Sequence, residues 1–244
     1  MAIQFEQTNI DTPFPYEIYV SNRVDRIQAV SWRLRMDPDE APRAWVWVVG
    51  TGGNRQFLGN TVQVASCEML GRLLAQNGFG LMTGGWEGVD EAMGKSFTKA
   101  FESNVRDIRR YQRIITSHGI TLEPSLADNS SVDIQETRER ALHKLVEDCH
   151  LCIMVGGLEG SMDAGEFCLR QGKVVFPIVE TGGTAELFYT KHLTFADRLL
   201  DQYSGFDLET LKRSYKDSID AIINYCQMKY PGEEYQQINP TSNV

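Results

Sequence analysis

The 244-residue chain contains no apolar stretch near the ~20 residues that a bilayer-spanning helix needs. Its first residues, M-A-I-Q-F-E-Q, lack the basic and apolar regions of a signal peptide. No basic run is present: 24 Lys and Arg stand against 33 Asp and Glu, and the resulting net charge of −9 argues against a nucleic-acid partner. The five cysteines are an odd number, scattered in mostly apolar surroundings, so no disulfide framework is expected. These absences predict a cytoplasmic protein with reduced thiols and no membrane contact. His118, His143, His150 and His192 show no metal-ligand spacing. Cys149-His150-Leu151-Cys152 has no second ligand pair, so its thiols read as core and no metal is expected. The first glycine turn, G-T-G-G-N, lacks the third glycine of a dinucleotide fingerprint. Gly-Lys-Ser/Thr and G-x-S-x-G are missing too, which removes the P-loop and the serine-hydrolase elbow, and no cofactor is implied.

What the chain does have is a strong alternation of short apolar runs and helical patterns. Asp148 to Pro177 is the most legible stretch: a buried-strand run at 151–155, Gly156-Gly157, a helical segment ending at Gly172, and a second strand at 174–178. Upstream, W-V-W-V-V at 45–49 reads as a strand, 61–76 as a helix, 79–83 as a strand, and the residues to about Phe101 as another helix. The order β-α-β-α predicts an α/β fold with a doubly wound parallel sheet. Residues 109–115 hold a helix end or a strand, 136–148 a helix, 185–193 a short helix, and 207–228 one long amphipathic helix. Residues 1–40 read as an N-terminal extension, 41–200 as the main α/β domain, 201–230 as a C-terminal helix packed on it, and 231–244 as a tail.

Four glycine-bearing turns fall at strand ends: Gly50-Thr51-Gly52-Gly53, Gly84-Gly85 with Gly88, Gly156-Gly157 with Gly160-Ser161, and Thr181-Gly182. In a doubly wound sheet such turns converge on one edge, where ligands bind. Backbone N–H groups at helix N-termini suit a phosphate there.

L-A-Q-N-G-F-G-L-M-T-G-G-W-E-G-V-D-E-A-M resembles the second strand, glycine turn and helix of the LONELY GUY (LOG) family, part of the SLOG superfamily of Rossmann-like nucleotide-binding domains. G-G-L-E-G-S-M-D-A-G-E resembles that family's P-G-G-x-G-T-x-x-E. The resemblance covers roughly residues 45–190 and implies a Rossmann-like fold with helical N- and C-terminal additions. It also implies a nucleoside 5′-monophosphate substrate, cleaved to free base and ribose 5-phosphate by an arginine–glutamate pair. The family's arginine, sixteen residues before the first glycine of the motif, falls on Arg140, with Arg138 close enough to compete. Its glutamate falls on Ala164 if Gly160-Ser161 matches the family's Gly-Thr. It falls on Glu166 if the loop is longer and Asp163 is the N-cap of a D-x-x-E capping pattern, with Asp163 the next candidate carboxylate. The alternative implied by the superfamily is a non-catalytic sensor of a nucleotide-derived signal, for example an NAD-related one. LOG relatives dimerise, so a homo-oligomer is expected, with the closing helix and its Tyr215, Ile219, Ile222 and Ile223 as a contributor.

Overall fold

The computed structural model describes residues 41–102, 108–116, 119–121, 142–194 and 201–232. Six strands form one sheet: β1 (Trp45–Gly50), β2 (Gly80–Thr83), β3 (Gln112–Thr116), β4 (Gly119–Thr121), β5 (Leu151–Val155) and β6 (Val174–Ile178). Their spatial order is β4-β3-β2-β1-β5-β6, with every pairing parallel except β3 with β4. The chain winds outward from β1 through β2 to β3, then returns to β5 and winds the other way. The switch point therefore lies between β1 and β5. Pro177 sits in β6, an outer strand, where a missing N–H does least harm to the ladder.

Helices α1 (Asn54–Leu58), α2 (Thr61–Gln76), α3 (Val89–Glu102), α4 (Glu159–Arg170), α5 (Gly183–Phe188) and α6 (Tyr215–Lys229) accompany the sheet. Strand side chains alternate between two cores. Val46, Val48, Leu151, Ile153, Val155, Phe176 and Ile178 pack with Leu70 and Leu74 of α2, Met93 and Phe97 of α3, and Ile219 and Ile222 of α6. Trp47, Cys152, Met154 and Val175 pack on the other face with Leu145, with Ala164 and Cys168 of α4, and with Phe188 of α5. Continuous apolar strands between two helical layers give the Rossmann-like α/β architecture.

The closing segment departs from the single helix read over 207–228. A 3₁₀ turn, Leu208–Lys212, is capped by Asp207. Then α6 starts afresh, with the Ser214 side chain accepting from Asp217 N–H. Leu208 and Leu211 keep helical phase with Ile219, so periodicity alone joins what two caps divide. Ile219 and Ile222 are wholly buried in this chain's own core and Ile223 nearly so. They are thus unavailable as the oligomer contact expected of them. Residues 109–115 hold both alternatives, the end of a 3₁₀ turn (Ile108–Arg110) and then β3. Among the described residues, no helix is long and apolar enough to cross a membrane.

All five cysteines are free and buried, Cys149 and Cys152 among them as core side chains. Among the described residues no group of three or more His, Cys, Asp or Glu side chains could hold a metal ion.

Candidate functional site at the carboxyl edge of the sheet

The four glycine turns follow β1, β2, β5 and β6, so the parallel sheet brings them to one edge. They are tied directly to each other. Gly50 accepts a hydrogen bond from the Ser161 hydroxyl at 3.0 Å, joining β1 to the first turn of α4. Thr51 N–H donates to Val155 at 3.3 Å, and Val89 N–H donates to Thr51 at 3.0 Å. Gly52 bridges Gly88, with Gly53 N–H donating to Glu87 at 3.2 Å. Gly156 N–H donates to the Thr181 hydroxyl at 2.7 Å, and Gly157 N–H to the Thr51 hydroxyl at 2.9 Å.

Most of the glycines serve this close packing. A Cβ on Gly50 would lie 2.2 Å from the Val155 carbonyl oxygen, and one on Gly88 2.3 Å from that of Thr51. On Gly156, whose φ is +61°, it would meet Gln63 at 2.2 Å. Gly52, Gly53 and Gly182 differ, because a Cβ there meets nothing within 4 Å. The open space at the edge lies over these three.

Within the turns themselves, most backbone N–H groups are already spent. The N–H groups of Thr51, Gly53, Gly84, Gly156, Gly157 and Gly182 all have partners within the chain. In the β2 turn the partner is an internal anion. Asp90, in the first turn of α3, accepts from Gly84 N–H at 2.9 Å and Trp86 N–H at 3.3 Å. Burial pushes the Asp90 carboxyl up to about 6, against the opposing pull of N–H groups from Trp86, Gly84 and Gly85.

Helices α1 and α5 start without a side-chain cap, and so does the longer α4, whose first turn also carries Glu159. The N-cap of α4 is Leu158, which supplies no side-chain cap. By contrast, α2 is capped by Asn60 and α6 by Ser214. Beneath the same edge, Gln63 is 6% exposed. Its Nε2 donates to Thr181 at 2.9 Å, whereas its Oε1 finds no partner among the described residues. Neither Gln63 nor Asp90 carries a local signal that assigns it to the edge, although Asp90 does follow Gly84 by six residues, within reach of its N–H.

The α4 start also settles how the motif folds. Because the helix runs unbroken from Glu159, Asp163 lies one turn inside it, exposed, and is not an N-cap. The capping pattern that was to raise Glu166 to the edge does not form. Glu166 instead lies about 10 Å along the axis from the helix start. There its Oε1 accepts from Lys191 Nζ at 2.7 Å and contacts His192 Nε2 at 3.0 Å. The Lys191 hydrogen bond first, then His192, hold the carboxyl below the usual range despite partial burial. Lys191 and His192 belong to a π-helical turn, Tyr189–Leu193, that sequence reading took as ordinary helix. Ala164, the other position considered for the family's glutamate, is buried in the core. Arg140 and Arg138 lie outside the described residues.

A cavity of about 490 Å³ lined by His143, Val146, Glu147, Phe167, Gln171 and Lys173 sits at the opposite edge, by the end of α4 and the start of β6. It shares no residue with the glycine turns.

No family model and no curated protein matches the chain. Among solved structures it is similar to TM1055, an X-ray structure from structural genomics, with a TM-score of 0.51 and 20% identity. That likeness covers 74% of this chain and 99% of the other. It is also similar to the molybdenum cofactor carrier protein MCP of Chlamydomonas reinhardtii, at a TM-score of 0.36 and 21% identity, over 60% of this chain and 83% of that one. The first likeness shows the Rossmann-like fold; the second carries no argument.

Proposed function

We propose that the chain binds a 5′-phosphorylated nucleotide at the carboxyl edge and holds it without releasing the base. The observation that carries this reading is the start of α4. A twelve-residue helix opens there at the β1/β5 switch point with no side-chain cap, while α2 and α6 are capped. Unpaired N–H groups and the positive end of the helix dipole favour a phosphate at that position. The buried Gln63 beside Gly156 leaves its Oε1 without a partner among the described residues, an acceptor that a ligand hydroxyl and not a phosphate oxygen would satisfy, and a buried acceptor without a donor costs about 1–3 kcal/mol. A bound donor or a water would remove that cost.

The binding reading is favoured over N-glycosidic hydrolysis by the carboxylates. An oxocarbenium-like transition state needs a negative charge beside the ribose. Glu166 lies two turns along α4 and is charge-compensated by Lys191, and position 164 is alanine.

Calorimetry with AMP, ADP-ribose, NAD and adenosine tests the phosphate site. The expected result is binding of the phosphorylated ligands with adenosine far weaker. Equal affinity for AMP and adenosine removes the phosphate site. Chromatography after hours with AMP and NAD should show no free adenine or nicotinamide. Base release that is lost in Glu166→Gln would restore the hydrolase.

A further inference from the structure

Among the described residues, five large apolar side chains are strongly exposed: Leu58, Trp86, Leu158, Leu187 and Met228. Leu58, Trp86 and Leu158 belong to the segments that leave β1, β2 and β5 at the carboxyl edge, and Trp86 is the aromatic one. We infer that the Trp86 indole is the stacking platform for the base of the nucleotide whose phosphate sits at the start of α4. The inference rests on the nucleotide reading above and adds the residue that recognises the base.

Three observations carry it. First, the indole stands on a held backbone and is uncovered. Its backbone N–H is held by Asp90 at 3.3 Å, and its carbonyl accepts from Glu91 N–H at 3.1 Å. Its pyrrole edge lies against Gly84, where a Cβ would come within 2.8 Å of Cδ1 and 2.9 Å of Nε1. Yet 57% of the residue stays exposed. An uncovered indole face offers a second ring a stacking surface at little conformational cost, since Trp has two side-chain torsions.

Second, the β2 turn has no anion site to offer. Asp90 already accepts from Gly84 and Trp86 N–H, and a phosphate beside that carboxylate would be repelled. A neutral planar group is what this turn can take.

Third, the spacing fits. Neighbouring strands lie ~4.8 Å apart, so the ends of β2 and β5 are roughly 10 Å apart across β1. A mononucleotide spans that distance and an inorganic phosphate does not. Between them, Gly52 and Gly53 face open space, which leaves room for the sugar.

The test titrates AMP and ribose 5-phosphate into the full chain and its Trp86→Ala and Trp86→Phe variants by calorimetry. Trp86→Ala should weaken AMP about 10- to 100-fold, the range expected for losing one base–aromatic stack. Trp86→Phe should stay within a few-fold, and ribose 5-phosphate should bind all three equally. AMP should also quench tryptophan emission in wild type and not in Trp86→Phe, whose urea midpoint checks folding. Unchanged AMP affinity in Trp86→Ala overturns the inference and leaves the phosphate site standing. So does an equal loss of ribose 5-phosphate, which would make Trp86 a support of the turn. A lower mass by light scattering with AMP affinity unchanged would assign the indole to a subunit contact instead. If wild type binds neither AMP nor ribose 5-phosphate, the nucleotide reading falls and the stacking falls with it.

Discussion

The turns after β2 and β5 spell almost alike, Thr-Gly-Gly-Trp-Glu-Gly and Val-Gly-Gly-Leu-Glu-Gly, but they settle their backbone donors differently. After β2, the carboxylate of Asp90 folds back onto Gly84 and Trp86, and the turn holds an anion of its own. After β5, the hydroxyls of Thr51 and Thr181 take the two glycine N–H groups, and the helix start is left without a cap. A glycine pair at a strand end thus does not by itself define a phosphate site. What decides is whether the chain supplies the acceptor from within.

The comparison breaks most severely at Gly50, where the two turns meet. Gly50→Ala puts a methyl group 2.2 Å from the Val155 carbonyl oxygen and 2.8 Å from Val89 Cγ2. Backbone must move, so a loss of about 3 kcal/mol or more is expected in urea unfolding. Gly52→Ala, facing open space, should stay within about 0.5 kcal/mol. Equal effects of the two would mean that the turns do not touch as described.

Thr181→Val tests the β5 turn alone. It removes the acceptor of Gly156 N–H and the donor to the Ile178 carbonyl, both buried. A cost of about 1–3 kcal/mol is expected, with Thr181→Ser recovering most of it.

Asp90 tests the β2 turn through pH. Its carboxyl holds a proton more tightly in the fold, at about 6, than at its ordinary 3.8. The folded state therefore binds more protons between these values. Stability from this group is full below about 4 and declines as pH rises through about 6. Asp90→Asn has no such slope, so the wild-type urea midpoint should fall relative to the variant between pH 4.5 and 6.5. A constant difference across that range would contradict the raised, half-buried carboxyl.

A small effect is expected at Glu166, two turns along α4. Its folded carboxyl lies below the ordinary 4.5, so its stabilisation is present above that pH and is lost as pH falls through the folded value. The pair with the mostly exposed Lys191 is worth at most about 1 kcal/mol. Glu166→Gln should cost no more than that at pH 7 in thermal melts.

The sheet was legible because 45–49, 79–83, 151–155 and 174–178 are apolar runs, the first three ending at a glycine, and a strand buried on both faces needs little else. Helix α2 was equally plain, since its stop at Asn77-Gly78 follows regular apolar spacing. The three-residue β4 is too short to leave a pattern, and α1 falls between the glycine turn and the helix at 61–76, where the sequence assigns no element. The candidate site was legible as a place and much less so as chemistry. Glycines mark strand ends, but the hydroxyls that spend Gly156 and Gly157 N–H come from residues 25 and 106 positions away. Asp163 and Glu166 imitate a capping pair, yet a helix begun earlier at Glu159 makes the imitation empty.

The five buried thiols divide between the two faces of the sheet, Cys67 and Cys226 on one, Cys149, Cys152 and Cys168 on the other. A thiol reagent can therefore reach none of them until the chain opens locally. The labelling rate of each cysteine becomes a clock for the opening of its own layer, read by mass spectrometry without any substitution. A ligand clasped at the carboxyl edge, touching α4 and the β1 and β2 turns, should slow both clocks. One that docks only on a single helical layer should slow one set and leave the other running.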